Sequence, residues 1–114
     1  MVGKESFIIY PGVIVPGRNM LAEFSVVPVG KGESLSGFVA ECVKIIRDSG
    51  IKYQLTPMGT IIEGELEEVM DLIMKCHRRM IEMSNRVITT IKIDDRKGRK
   101  NALEEKIKSV EERL

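Results

Sequence analysis

Little in this sequence offers ready-made chemistry. It has no nucleophile elbow, no Gly-rich phosphate loop of the P-loop kind and no zinc signature, so the commonest routes to hydrolysis, nucleotide chemistry and metal catalysis are missing. Histidine occurs once, as His77, which leaves no histidine pair for a metal or a proton relay. Only two cysteines are present, Cys42 and Cys76, and neither has a partner at CxxC or Cys/His spacing. Both fall in apolar stripes of helical period and read as buried thiols. The lack of a disulfide framework fits a reducing compartment, so the expected location is the cytoplasm. A charge excess of either sign is also missing. The chain carries 18 Lys and Arg against 17 Asp and Glu, which gives no dense positive surface to reward a phosphate backbone. Nucleic acid is not an expected partner. The apolar stretch FIIYPGVIV at 7–15 is broken by Pro11 and Gly12, has no A-x-A cleavage site after it, and falls short of the roughly 20 residues that span a bilayer. Neither secretion nor a membrane is expected.

What the chain does have is the means to build one core. Its 114 residues, 43% hydrophobic and 31% charged, match a single globular domain rather than two. Residues 1–19 contain the turn-forming pairs Pro11-Gly12 and Pro16-Gly17 and read as an appendage, an alternative start or an extra edge strand. The domain is expected over 20–114.

From Met20 onward the periods alternate between strand and helix. In LAEFSVVPV at 21–29, Ala22, Phe24 and Val26 alternate with Glu23, Ser25 and Val27, which predicts a strand. After the Gly30 and Gly32 turn, Ser34 is placed to cap a helix with the stripe Leu35, Phe38, Val39, Cys42, Val43 and Ile46, ending near Ser49 with Gly50 as its stop. Residues 51–56 make a second strand, Pro57-Met58-Gly59 a tight connection, and 60–63 a third strand ended by Gly64. Leu66, Val69, Met70, Ile73, Met74, His77, Met80 and Ile81 set out a helix over 65–83. A fourth strand spans 86–94, the charged run DDRKGRKN at 94–101 is a solvated loop, and Leu103, Ile107, Val110 and Leu114 form one stripe of a last helix.

The order βαββαβ plus a C-terminal helix predicts an α+β fold of ferredoxin-like type, with two helices on one face of a four-stranded antiparallel sheet. Alternation places Glu23, Ser25, Val27, Ile88, Thr90 and Lys92 on the other face. That mixture of apolar and polar groups suits a partner subunit or a ligand better than bare solvent, and the third helix is a further candidate cover.

MLAEFSVVPVG at 20–30, YQLTPMGTIIEGE at 53–65, CHRRM at 76–80 and RVITTIKIDDRKG at 86–98 together resemble the small thiamine-binding proteins of the YkoF-like superfamily. The resemblance covers about 20–114. It implies a ferredoxin-like fold, assembly through sheets into dimers and tetramers, and binding of thiamine or its hydroxymethylpyrimidine part in at least some members. The missing catalytic motifs predict no enzyme, and no cofactor is expected. A thiamine site needs acceptors for the exocyclic amine, a donor for a ring nitrogen and an apolar or aromatic wall. Glu23 or Glu63 is the candidate acceptor for the amine, Ser25 and Thr60 the hydrogen-bond partners of the ring, and Tyr53 the stacking group. Ser34, at a helix start, is the candidate for a polar or anionic group such as a phosphate.

Each candidate also has a plain structural role. Ser34 suits simple capping, Thr60 suits any strand, and Glu23 has Lys92 as a cross-strand partner. His77 sits among core residues, and the methionines read as core filler. Two other functions stay open on the sequence: an assembly module that senses another metabolite, and a small enzyme that uses His77 with Glu63 or Glu82.

Overall fold

The computed structural model describes residues 7–10, 13–16, 19–32, 34–98 and 100–114. Two short strands, β1 (Phe7–Tyr10) and β2 (Val13–Pro16), pair antiparallel with each other as a separate two-stranded sheet. Pro11, Gly12 and Gly17, expected at turns, lie outside the described residues. The main sheet is built from β3 (Asn19–Pro28), β4 (Lys52–Thr56), β5 (Gly59–Glu65) and β6 (Val87–Asp94), with helices α1 (Ser36–Ser49), α2 (Leu66–Met83) and α3 (Ala102–Glu111).

The strands lie in the order β4-β5-β3-β6, and every neighbouring pair is antiparallel. The two strands that lead into α1 and α2 therefore sit at the centre, and the strands that follow those helices sit at the edges. This is the ferredoxin-like arrangement, in which each βαβ half crosses over the same face. Ala22 and Phe24 of β3 and Ile62 of β5 point to the helix side, where they form one core with Cys42 and Ile46 of α1 and Val69, Leu72, Ile73, Cys76 and Met80 of α2.

Local chemistry explains most element ends. Gly50 takes a left-handed φ of 78° and closes α1 with its N–H on the Arg47 carbonyl, a conformation that costs glycine little. Four expectations need correction. Ser34 does not cap α1: the cap position is Leu35, no side chain bonds the cap, and the exposed Ser34 Oγ lies 3.5 Å from Ser36 Oγ. A serine one residue before the cap is too far back to receive the second or third helical N–H. Gly64 does not end β5 but pairs with Met20 inside the strand. A Cβ there would lie 3.4 Å from Val69 Cγ2, so the small residue lets α2 begin directly over the strand that leads into it. On α2 the buried seam runs through Leu72 and Cys76, whereas Met74 and Ile81 are exposed. The apolar positions alone form a broader band than the sheet covers.

The fourth correction concerns α3. Only the start of its stripe is used, because Ala102 and Leu103 are buried against Leu21 and the half-buried Ile61 on the sheet face opposite α1 and α2. Ile107, Val110 and Leu114 remain exposed. Among the described residues no helix is long and apolar enough to cross a membrane.

A cleft between helix α1 and the hairpin

The β4–β5 turn carries its own fastening. The Thr56 hydroxyl accepts the Met58 and Gly59 N–H groups at 3.2 and 3.1 Å and donates to the Gly59 carbonyl at 2.8 Å, which makes a two-residue turn of Pro57 and Met58. Gly59 is required by its neighbour: a Cβ would stand 2.9 Å from the Phe24 carbonyl oxygen of β3. The turn thus lies close against the centre of the sheet. The first half of α1 stands away from the same corner, and between them opens a cleft of ≈ 370 Å³.

Its walls are apolar: Phe24 and Val26 from the sheet, Leu35, Val39 and Cys42 from α1, Leu55 and Met58 from the hairpin. Val39 is 48% exposed and Leu55 51%, although both belong to the helix side of the sheet, because they face this space rather than each other. Thr60 is the polar group set into the wall. It is only 9% exposed, it is paired across the sheet with Phe24 and Leu55, and among the described residues its hydroxyl has no hydrogen-bond partner. Among the described residues no buried side-chain nitrogen or oxygen is left unpaired, so the free Thr60 hydroxyl is the part of the residue that opens on the cleft.

The six sequence candidates do not converge. Thr60 and Ser25 both belong to the cleft lining, although the Ser25 side chain alternates toward the other face. Tyr53 is on the edge strand β4 opposite Ile62 and is not in the lining. Ser34 is exposed beside Leu35 and outside it. Glu23 lies on the opposite face, across from Lys92 in register, with the carboxylate 4.0 Å from the ammonium; the cross-strand pair expected for it is present.

Glu63 is also on that opposite face and is almost wholly buried. Its carboxylate accepts the N–H groups of Ala102 at 2.7 Å and Leu103 at 3.4 Å, bonds the Asn19 amide, and lies 3.7 Å from Lys52 Nζ. An acid placed on the free amides of a helix start both satisfies them and meets the positive end of the helix dipole. Glu63 therefore holds α3 on the sheet. Lys52 in turn binds Glu104 at 2.8 Å, and the two carboxylates, Glu104 first, hold the Lys52 ammonium above its usual pKa.

A second, shallower hollow of ≈ 290 Å³ lies beside α3 on this face, with Glu23, Gln54, Lys92, Asp94 and Lys106 around it. Its charges are already matched, Lys106 to Asp94 at 2.7 Å and Lys92 to Glu23. The cleft under α1 is the better site because it is more enclosed and has a free hydroxyl in its wall. His77 bonds Thr89 at 2.6 Å on the helix side, and Glu63 is on the other side of the sheet, so those two residues do not meet. Glu82 lies five positions further along α2, on a different side of the helix. Among the described residues no cluster of His, Cys, Asp and Glu is fit to hold a metal.

Sequence reasoning picked Thr60 but missed Phe24, Val39, Cys42, Leu55 and Met58, which it assigned to core or turn. The signal that pointed here was the PMGT run at 57–60, whose glycine and threonine are both explained by the cleft's corner.

A family model described as "Thiamine-binding protein" matches residues 22–111. The UPF0045 protein YqgV of Bacillus subtilis is 41% identical over 100 residues, covering 82% of this chain and 96% of its own length. A hypothetical protein of Methanocaldococcus jannaschii is 34% identical, and its crystal structure superposes with a TM-score of 0.78 over 83% of this chain and 98% of that one. A Thermotoga maritima protein provisionally assigned to thiamine biosynthesis or salvage is 27% identical, with a TM-score of 0.72 over 81% of this chain and 98% of its own.

Proposed function

The chain belongs to the thiamine-binding protein family, and from that premise we propose that it binds thiamine or its hydroxymethylpyrimidine part, without catalysis, in the cleft between α1 and the β4–β5 hairpin. The observation that carries this assignment is Thr60, a largely buried residue in an apolar wall whose hydroxyl opens on the cleft with no partner among the described residues. A hydroxyl both donates and accepts, which suits the neighbouring ring nitrogen and exocyclic amine of an aminopyrimidine. Phe24, Leu55 and Val39 supply the apolar surface for a flat ring, and the cleft volume lies at the small end of the range for ligand sites. The cationic thiazolium stays at the mouth, near the exposed Met58, where it keeps its water and needs no buried counter-charge. Glu23 and Glu63 look out on the other face, which leaves the amine to Thr60 and to main-chain carbonyls of the lining. Free thiols at Cys42 and Cys76 support a reducing, cytoplasmic setting.

Self-association belongs to the same proposal. Val27 lies opposite Ile88 on the sheet face that α3 leaves partly open, and Ile107 and Val110 of α3 are exposed as well. Exposed apolar groups of this kind favour a second copy, in a dimer or tetramer.

Calorimetric titration of the full chain with thiamine, its phosphates and hydroxymethylpyrimidine tests the ligand. Saturable binding is expected, weakened about tenfold by Thr60→Val, the value of one hydrogen bond, with unfolding unchanged. No heat from any of these compounds at high micromolar concentration overturns the assignment. Equal affinity in the Thr60→Val protein moves the site elsewhere.

A further inference from the structure

Cys42 and Cys76 do more than fill the core. They face each other across the α1–α2 contact, the Cys42 Sγ 4.0 Å from the Cys76 carbonyl oxygen and the Cys76 Sγ 3.8 Å from the Cys42 carbonyl oxygen. Such a reciprocal placement puts the two residues directly opposite one another, each thiol against the other's main chain. Their surroundings differ. Cys76 has no exposure, whereas Cys42, 7% exposed, lines the cleft and is reached from it. Cys42 is therefore the thiol that a solute in the cleft meets first.

We propose that Cys42 and Cys76 are an oxidation site on the wall of the ligand cleft, closing to a disulfide with a peroxide as oxidant and lowering ligand affinity when they do. In the first step the Cys42 thiolate attacks one peroxide oxygen, the O–O bond breaks, and sulfenic acid and hydroxide are formed. In the second the Cys76 sulfur attacks the Cys42 sulfur, expels the hydroxyl group as water and forms the S–S bond. Two thiols lose two electrons, and one peroxide is reduced to two waters. Bonding requires the sulfurs to close to about 2.05 Å. That movement withdraws Cys42 from the cleft and draws α1 toward α2, away from the hairpin that forms the opposite wall. The regulatory half of this proposal rests on the cleft being the ligand site; the chemistry of the pair does not.

The test treats the folded full chain with hydrogen peroxide, counts free thiols and maps linkages by peptide mass spectrometry without reduction. Both thiols are expected to disappear together in an intramolecular Cys42–Cys76 link that dithiothreitol reverses. In Cys76→Ala, Cys42 is expected to stop at sulfenic acid and to be trapped by dimedone, while in Cys42→Ala the remaining Cys76 stays unreactive. Thiols that survive peroxide in the folded protein, or links only between chains, overturn the oxidation site. Thiamine titration of the reduced and oxidised protein then reads the coupling, expected as a loss of about fivefold or more. Equal affinity in the two forms overturns the regulation. Failure of the reduced protein to bind thiamine overturns the cleft assignment and the regulation with it, an outcome distinct from a missing disulfide.

Discussion

Thr60 and Glu63 lie three residues apart on the same strand and so face opposite sides of the sheet. That parity separates a hydroxyl open to the cleft from a carboxylate committed to α3. The consequence is measurable at Glu63. In Glu63→Ala the buried Ala102 and Leu103 amides lose their acceptor and Lys52 loses one of its two carboxylates. Unpaired buried donors of this kind cost about 2 kcal/mol in all. Urea unfolding is expected to show that loss, and hydrogen exchange is expected to quicken first at the start of α3. Thiamine affinity should hold, since the cleft is on the other face. A variant that lost binding at unchanged stability would return Glu63 to the ligand site.

Among the elements, α1 and α2 depend on more than their apolar seam. Arg79 of α2 donates to Glu41 of α1 at 2.8 Å, and Lys44 bonds the same carboxylate at 3.0 Å. These partners, Arg79 first, hold the Glu41 pKa below its ordinary 4.5. A carboxyl whose folded-state pKa is depressed adds stability above the unfolded value and gives it up as pH falls through the folded one. The pair lies half-buried at the surface, where solvent still screens it, so its contribution is small. Thermal unfolding of Arg79→Ala is accordingly expected to fall slightly below the parent at neutral pH, and the difference is expected to close as pH drops below 4.5. A gap of constant size across that range would assign the effect to lost packing of the Arg79 stem instead. The helix elements also show where periodicity stops being informative. It marked α2 correctly as a helix, but Leu72 and Cys76 are buried and Met74 and Ile81 are exposed. Which part of a wide apolar band is buried depends on the angle at which the helix crosses the strands.

For the whole molecule, the exposed groups of α3 and the β6 side of the sheet make the prediction. Light scattering at tens of micromolar is expected to report a dimer or tetramer, and Val110→Asp is expected to shift it toward monomer by setting a charge in the apolar stripe. A strict monomer in the parent would show that these groups face water. The fold itself was legible in the order of periods, because alternation in 21–29 and 86–94 and helical spacing between them are local consequences of which side chains must leave water. The family was legible in PMGT and its companion segments. The elements also carried Gly50 as a stop and Lys92 as the partner of Glu23, both set by neighbours along a chain or across one pair of strands. Other features follow only from tertiary structure, because they arise where distant segments meet. Glu63 becomes a helix anchor only when residues 102 and 103 arrive above it, Cys42 and Cys76 become a pair only when two helices lie side by side, and the cleft exists only because α1 stands off from a hairpin more than ten residues further along the chain.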